Sequence, residues 1–180
     1  MSRSHRGPIV LAMMLFVSST SCQRTPPSPV KVNGPRTGVV EVEPLDEARV
    51  VTGQTIYVPA YSHVLTANDA RPFNLAVTLS IRNTDPTHPI VVSTVAYYDR
   101  DGRKVRDYLK KPLRVAPLAS IEFFVKEQDT SGGSSACFLV DWVAEQRVTS
   151  PLSETVMIGT ASTQGISFTC SGRVIAERAP

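Results

Sequence analysis

The sequence predicts an all-β protein, an antiparallel β-sandwich of immunoglobulin-like kind with about seven or eight strands. Apolar and polar residues alternate with a period of two in several segments, and glycine, proline, aspartate and asparagine interrupt them about every ten residues. Helical spacing of apolar residues is nearly absent. The 180 residues, 42% hydrophobic and 19% charged, suit one domain with an N-terminal extension.

Residues 73–83, FNLAVTLSIRN, form the clearest predicted strand. Every second position in this segment is apolar, and the residues between are mostly polar. This pattern is typical of a strand with one buried and one solvated face. The positions expected to face the core are Phe73, Leu75, Val77, Leu79 and Ile81.

Further strands follow the same logic. Residues 90–98, IVVSTVAYY, are apolar on both faces, which predicts a central strand. Residues 120–127 alternate regularly, and residues 136–143 place Trp142 on the same side as three smaller apolar residues. We expect Trp142 in the sandwich core and not on a sugar-stacking surface. The remaining predicted strands are 53–61, 154–160 and 165–175.

The segments between the strands are rich in turn formers. DRDG, residues 99–102, predicts a hairpin turn because Asp-Gly readily adopts positive φ. The same residues fail as a calcium loop, since tyrosines stand where carboxylates are required at both ends. DTSGGSS, residues 129–135, predicts a flexible loop, and residues 43–49, EPLDEAR, a short helical turn.

Residues 1–21 have the composition of a signal peptide. Arg3, His5 and Arg6 precede a nine-residue apolar run, IVLAMMLFV, and four small residues, SSTS. As a helix that run would rise only about 14 Å, too short for a bilayer. The sequence therefore predicts an exported protein.

Cys22 follows this leader and has two interpretations. STSC, residues 19–22, resembles the lipid-attachment motif of bacterial lipoproteins, although Ser19 stands where an aliphatic residue is usual. Ser19 and Ser21 also fit ordinary signal-peptidase cleavage. The proline-rich segment that follows favours lipid attachment at Cys22, because residues 22–37 would form an extended tether before a single domain at 38–180.

These features predict where the protein works and what it contacts. We expect a periplasmic protein or a lipoprotein facing the periplasm or cell surface, held to the membrane by its N-terminal lipid. An envelope protein or a small ligand is the expected further partner. Net charge is only +3, with no Lys/Arg cluster, which argues against nucleic-acid binding.

Three cysteines leave one pair if Cys22 carries lipid. Cys137 and Cys170 lie in predicted strands of an exported chain, so a disulfide between them is expected. The alternative is two buried free thiols that behave as small apolar residues.

The stretch TIYVPAYSHV, residues 55–64, is the candidate binding surface. Tyr57, Pro59, Tyr61 and His63 alternate and would share one side, and Pro59 restricts the stretch to a sheet edge or strand end. Gln164, in the loop GTASTQG, would lie nearby. Amphipathic Tyr and His side chains on an edge suit a partner surface.

Catalysis, metals and cofactors receive little support from the sequence. No nucleophile motif accompanies His63 and Ser62, no Cys/His cluster suits zinc, and no cofactor motif is present. A small envelope enzyme with an acid/base cluster near His63 remains an alternative, as does a purely structural lipoprotein of an envelope assembly. The enzyme would require His63, Ser62 and a carboxylate within hydrogen-bonding reach.

Three segments resemble an uncharacterised bacterial family of exported, often lipid-anchored proteins that contain a domain of unknown function: GQTIYVPAYSHV, YYDRDG and MIGTASTQGISF. The resemblance covers roughly residues 54–172 and implies no catalytic residues. A looser similarity links LSIRNTD, YYDRDG and PLASIEFFV to immunoglobulin-like accessory modules, which concerns fold alone.

Overall fold

Alternating apolar side chains drive two antiparallel sheets to pack face to face. The computed structural model describes residues 37–66, 71–160 and 165–178. The strands belong to a compact unit, Pro35–Pro180, whereas the unit Met1–Gly34, including Cys22, lies outside the described residues.

The described ranges contain thirteen strands. They are β1 (Val39–Glu41), β2 (Thr52–Ala60), β3 (His63–Leu65), β4 (Pro72–Asn74), β5 (Ala76–Arg82), β6 (Ile90–Tyr98), β7 (Lys104–Asp107), β8 (Leu113–Val115), β9 (Ser120–Val125), β10 (Ala136–Ala144), β11 (Leu152–Gly159), β12 (Ile166–Ser171) and β13 (Arg173–Arg178). Two 3₁₀ turns, Glu47–Arg49 and Gly133–Ser135, accompany them. The first confirms the predicted helical turn. No helix within the described ranges is long and apolar enough to cross a membrane.

The larger sheet has seven strands in the order β1-β8-β6-β10-β2-β13, with β7 paired to β6. The smaller sheet has the order β12-β11-β5-β9, and β3 pairs with β4 as a separate hairpin. The predicted all-β antiparallel sandwich is confirmed. The strand count exceeds seven or eight because β1, β3, β4 and β8 are three residues long, too short to show an alternating pattern.

The central pairs follow immunoglobulin logic. β5 pairs with β9 in one sheet and β6 with β10 in the other, as strands B with E and C with F do in that fold. The flanks differ: β11 lies beside β5, and β2 lies beside β10. In the immunoglobulin fold the first strand lies beside B and the last strand beside F. Here the late strand β11 takes the first position and the early strand β2 takes the second.

The predicted inward rows form the core. Leu75, Val77, Leu79 and Ile81 are fully buried in one cluster with Trp142, Tyr97 and Phe138. Trp142 is 1% exposed, which confirms it as a core residue. β6 lies between β8 and β10, which confirms the predicted central strand. The DRDG turn is also confirmed, with Gly102 at φ 75°.

β12 and β13 are almost one strand that changes sheets at Gly172. β12 belongs to the smaller sheet and β13 to the larger. The Gly172 amide donates to the Ser153 carbonyl at 2.7 Å. A Cβ here would lie 2.7 Å from Ile56 Cγ2 and 2.9 Å from the Ser153 oxygen. The crossing therefore requires glycine.

Asn83 directly follows β5 and fixes that end of the strand. It is 2% exposed, and its amide nitrogen donates to the carbonyls of His88 (2.8 Å) and Val115 (3.2 Å). Its side-chain oxygen accepts from the Asp85 amide at 3.0 Å. These bonds replace backbone pairing where the strand ends.

The predicted disulfide between Cys137 and Cys170 is wrong: both are free thiols. Cys137 lies on β10 and is paired with Pro59 of β2. Its side chain is on the outer face of the larger sheet, whereas the neighbouring Phe138 faces the core. Cys170 lies on β12 of the smaller sheet and packs against the core. The side chains therefore belong to different sheets and different faces, so they cannot meet the close Cβ spacing of a bridge.

We expect Gly172→Ala to lower the free energy of unfolding by about 2–3 kcal/mol, because the added methyl overlaps backbone and core atoms. Urea denaturation measures the change. Gly165→Ala is the control, since a Cβ there meets nothing closer than 3.4 Å. Equal stability of the two variants would contradict the assigned role of Gly172.

Candidate functional site

The predicted binding residues that the structure describes lie at the upper end of the sandwich, defined here as the end where β2 finishes and β10 begins. Tyr57 is in β2, Tyr61 follows that strand, and His63 begins β3. We call these three residues the Tyr–His edge. Gln164 lies outside the described residues, so its predicted place beside them stays a prediction.

Pro59 sits where β2 loses one neighbour. β13 pairs only with Gly53–Tyr57, so among the described strands the last residues of β2 are paired with β10 alone. The Pro59 carbonyl instead accepts a hydrogen bond from Thr155 Oγ1 at 2.6 Å. The prediction that Pro59 marks an edge or a strand end is confirmed.

Tyr57 and Tyr61 differ in exposure. Tyr57 is 37% exposed on the outer face of the larger sheet. Burial and the neighbouring Cys137 raise the pKa of Tyr57, and Tyr61 adds to this rise, so the two phenols are within electrostatic reach. Tyr61 is half-buried and packs edge-on against Phe168, with ring centroids 5.7 Å apart. The ring of Tyr57 is therefore exposed, and the ring of Tyr61 is held in place by Phe168.

Ser62 anchors the chain between Tyr61 and His63. Ser62 is fully buried, and its amide donates to the Gly133 carbonyl at 3.0 Å. Its carbonyl accepts from the Leu75 amide at 2.9 Å, and its hydroxyl hydrogen-bonds the Tyr97 hydroxyl at 3.0 Å. The residues on either side of Ser62 are therefore held in place by backbone and side chain together.

Ser62 and His63 do not form a catalytic pair. The Ser62 hydroxyl is bonded to Tyr97. His63 Nδ1 is buried and has no hydrogen-bond partner in the described ranges. Consecutive residues of an extended chain point to opposite sides. The cluster required by the alternative enzyme is not formed by these two residues.

A second group of polar residues fixes the segment predicted as a flexible loop. Arg106 pairs with Asp129, and its guanidinium lies 5.8 Å from the ring centres of both Tyr97 and Tyr108. Asp129 accepts from the Ser131 hydroxyl at 2.5 Å. β7 thereby ties residues 129–135 to the sandwich, and the Gly133 carbonyl reaches Ser62 from that segment.

The pKa shifts of Tyr97, Tyr108 and Asp129 each favour the form that these side chains have in the hydrogen-bonded network. Burial raises the pKa of Tyr97 and raises that of Tyr108 to about 12. Burial opposes ionisation of Asp129, but hydrogen bonds from Ser131 and Arg106 lower its pKa overall. At neutral pH the network holds two neutral phenols and one ion pair, so neither phenol supplies a base for Ser62.

Sequence reasoning missed Tyr97, Arg106 and Asp129 as a group. One signal was present: a tyrosine in a doubly buried strand needs a partner for its hydroxyl. Arg106 and Asp129 are 23 positions apart and carry no spacing signal. In the described ranges no three Cys, His, Asp or Glu side chains are grouped to hold a metal ion.

We expect Tyr97→Phe to cost about 1–2 kcal/mol, because the buried Ser62 hydroxyl loses its partner. Hydrogen exchange should accelerate at the Ser62 and Leu75 amides. Tyr98→Phe is the matched control, since the Tyr98 hydroxyl makes no hydrogen bond in the part of the chain described. Similar exchange in both variants would show that the Ser62–Tyr97 bond does not hold this segment.

Comparison with known proteins gives a family and a loose structural likeness. No curated protein matches the chain. A solved structure titled crystal structure of Thermotoga maritima 1070 is 9% identical and covers 67% of this chain and 92% of its own, with a TM-score of 0.41. A family model described as protein of unknown function (DUF3124) matches residues 53–175. This confirms the predicted membership of an uncharacterised family, and the chain belongs to the DUF3124 family.

Proposed function

We propose that this protein is an exported, lipid-anchored envelope protein that presents the Tyr–His edge to a protein partner. The described residues form a β-rich sandwich of a family without an assigned activity. The proposed role therefore rests on the leader-like N-terminus, the cysteine after it, and the geometry of the upper end.

The observation that carries the interaction role is the anchoring of Ser62. Its amide, carbonyl and hydroxyl are all bonded, so Tyr61 and His63 are positioned before any partner binds. Preorganised side chains lose little conformational entropy on association. Aromatic residues with a polar tip are enriched at protein interfaces, which suits an edge made of two tyrosines and a histidine.

The end of β2 adds a second supporting feature. The edge there is short, and proline removes its only outward backbone donor near Pro59. Pairing with an added strand is therefore disfavoured at this point. A partner would recognise the edge mainly through side chains, with Tyr57 as the exposed anchor.

Site-specific photocrosslinking tests this surface. A photoreactive phenylalanine analogue at position 57, in the chain expressed with its own leader, should yield one discrete adduct in cells. Phe124 is the control position, because it is 56% exposed on the outer face of the smaller sheet. His63→Ala, which removes another side chain of the Tyr–His edge, should weaken the adduct at 57 at least threefold.

Two outcomes would contradict the interaction role. One is the same pattern of adducts from positions 57 and 124, which would indicate random collisions. The other is an adduct at 57 that His63→Ala leaves at full yield, which would separate Tyr57 from the rest of the Tyr–His edge.

Intact mass tests the anchor independently. We expect a chain of Cys22–Pro180 carrying acyl groups, since lipid attachment removes residues 1–21. Denaturation with alkylation and no reductant should add two labels, one each at Cys137 and Cys170, because both are free thiols. An unacylated mature chain would overturn the lipid anchor, and labels that appear only after reduction would contradict the free thiols.

A further inference from the structure

Residues 42–51, here called the strap, cross the outer face of the larger sheet between β1 and β2. Backbone hydrogen bonds fix both ends: Val42 N donates to Pro112 O at 3.0 Å, and Val51 N donates to Ala144 O at 2.9 Å. Asp46 caps the 3₁₀ turn by accepting from the Ala48 amide at 3.0 Å. The strap is thus attached to the rest of the domain at both ends.

Ion pairs hold the strap from both sides. Arg49 pairs with Glu145, which also lies 3.7 Å from Arg114. Glu43 pairs with Lys111 at 2.6 Å. These contacts position the strap above the sheet without filling the space beneath it.

A cavity of about 190 Å³, partly open to solvent, lies between the strap and the sheet. Its roof is Pro44, Leu45 and Val50, and its floor includes Val91 and Val143. A buried apolar cavity of about 150 Å³ is large enough to bind benzene. This space therefore accommodates a small apolar group of roughly that size.

The polar lining leaves two charges available. Ser93 lines the cavity, but its hydroxyl already donates to the Asp141 carbonyl at 3.1 Å. Glu47 lines it from the strap and Arg178 from β13. Neither Glu47 nor Arg178 forms an ion pair with any residue in 37–66, 71–160 or 165–178. One negative and one positive group thus border an apolar space.

We propose that the strap cavity binds a small zwitterion, an α-amino acid with an aliphatic side chain. The Arg178 guanidinium would receive the carboxylate, a pairing that guanidinium geometry favours. The Glu47 carboxylate would accept from the ammonium, and the aliphatic group would lie on Val91 and Val143. This site is separate from the Tyr–His edge and does not depend on the proposed partner.

Ligand-observed NMR with leucine as the probe tests the proposal on the full chain. A ligand of this size suggests a Kd of about 0.1–1 mM. We expect Arg178→Gln and Glu47→Gln each to weaken leucine binding at least tenfold. Arg173→Gln is the matched control, because Arg173 is exposed on the same strand but does not line the cavity. Val143→Phe should fill the space and abolish the signal while the protein remains folded by circular dichroism.

Analogues lacking one charge complete the test. 4-Methylpentanoate has no ammonium group and 3-methylbutylamine no carboxylate, so each should bind at least tenfold more weakly than leucine. Binding of either analogue as tightly as leucine would overturn the zwitterion assignment. No leucine signal at 10-fold above the expected Kd, or equal loss in Arg173→Gln and Arg178→Gln, would overturn the site itself.

Discussion

Burial of the inward row of β5 is the contact on which the rest of the structure depends. Leu75, which directly precedes β5, and Val77, Leu79 and Ile81 of that strand share one cluster with the large side chains of β6 and β10. Each such side chain stabilises the fold by roughly 1.5–3 kcal/mol. A slip of one residue would turn the whole row toward solvent, so burial fixes the register of β5. That register determines which residues arrive at the two ends of the sandwich.

Polar residues at those ends then fix the connecting segments. Asn83 bonds neighbouring carbonyls at one end, and Ser62 and Tyr97 bond each other at the other. Next to Asn83, hydrogen bonds from the backbone amides of Thr87 and His88 hold the pKa of Asp85 well below its usual range. Buried polar groups are stable only when bonded, so each one specifies a single loop arrangement. The hydrogen bonds of Ser62 therefore determine the positions of Tyr61 and His63 in the Tyr–His edge.

Much of the fold follows from the sequence because alternation is a local signal. The rows of β5 and β10, the central β6 and the Asp-Gly hairpin were all predictable from neighbouring residues. The free state of Cys137 was not, because it depends on which face of a different sheet carries Cys170. The same limit applies to Arg106 and Asp129, which only the folded topology brings together. Pro59 was an exception, since its missing amide proton restricts position by itself.

The topology also separates the chain's entry from the Tyr–His edge. The sandwich begins at β1, which forms one edge of the larger sheet, whereas β2 lies four strand positions away. At the usual spacing this separation is about 19 Å. β13 pairs with β2 only as far as Tyr57, and beyond that point Thr155 of β11 contacts β2 through the Pro59 carbonyl. Three strands, β8, β6 and β10, lie between β1 and the strand that carries Tyr57, so the first strand and this side chain occupy different parts of the larger sheet.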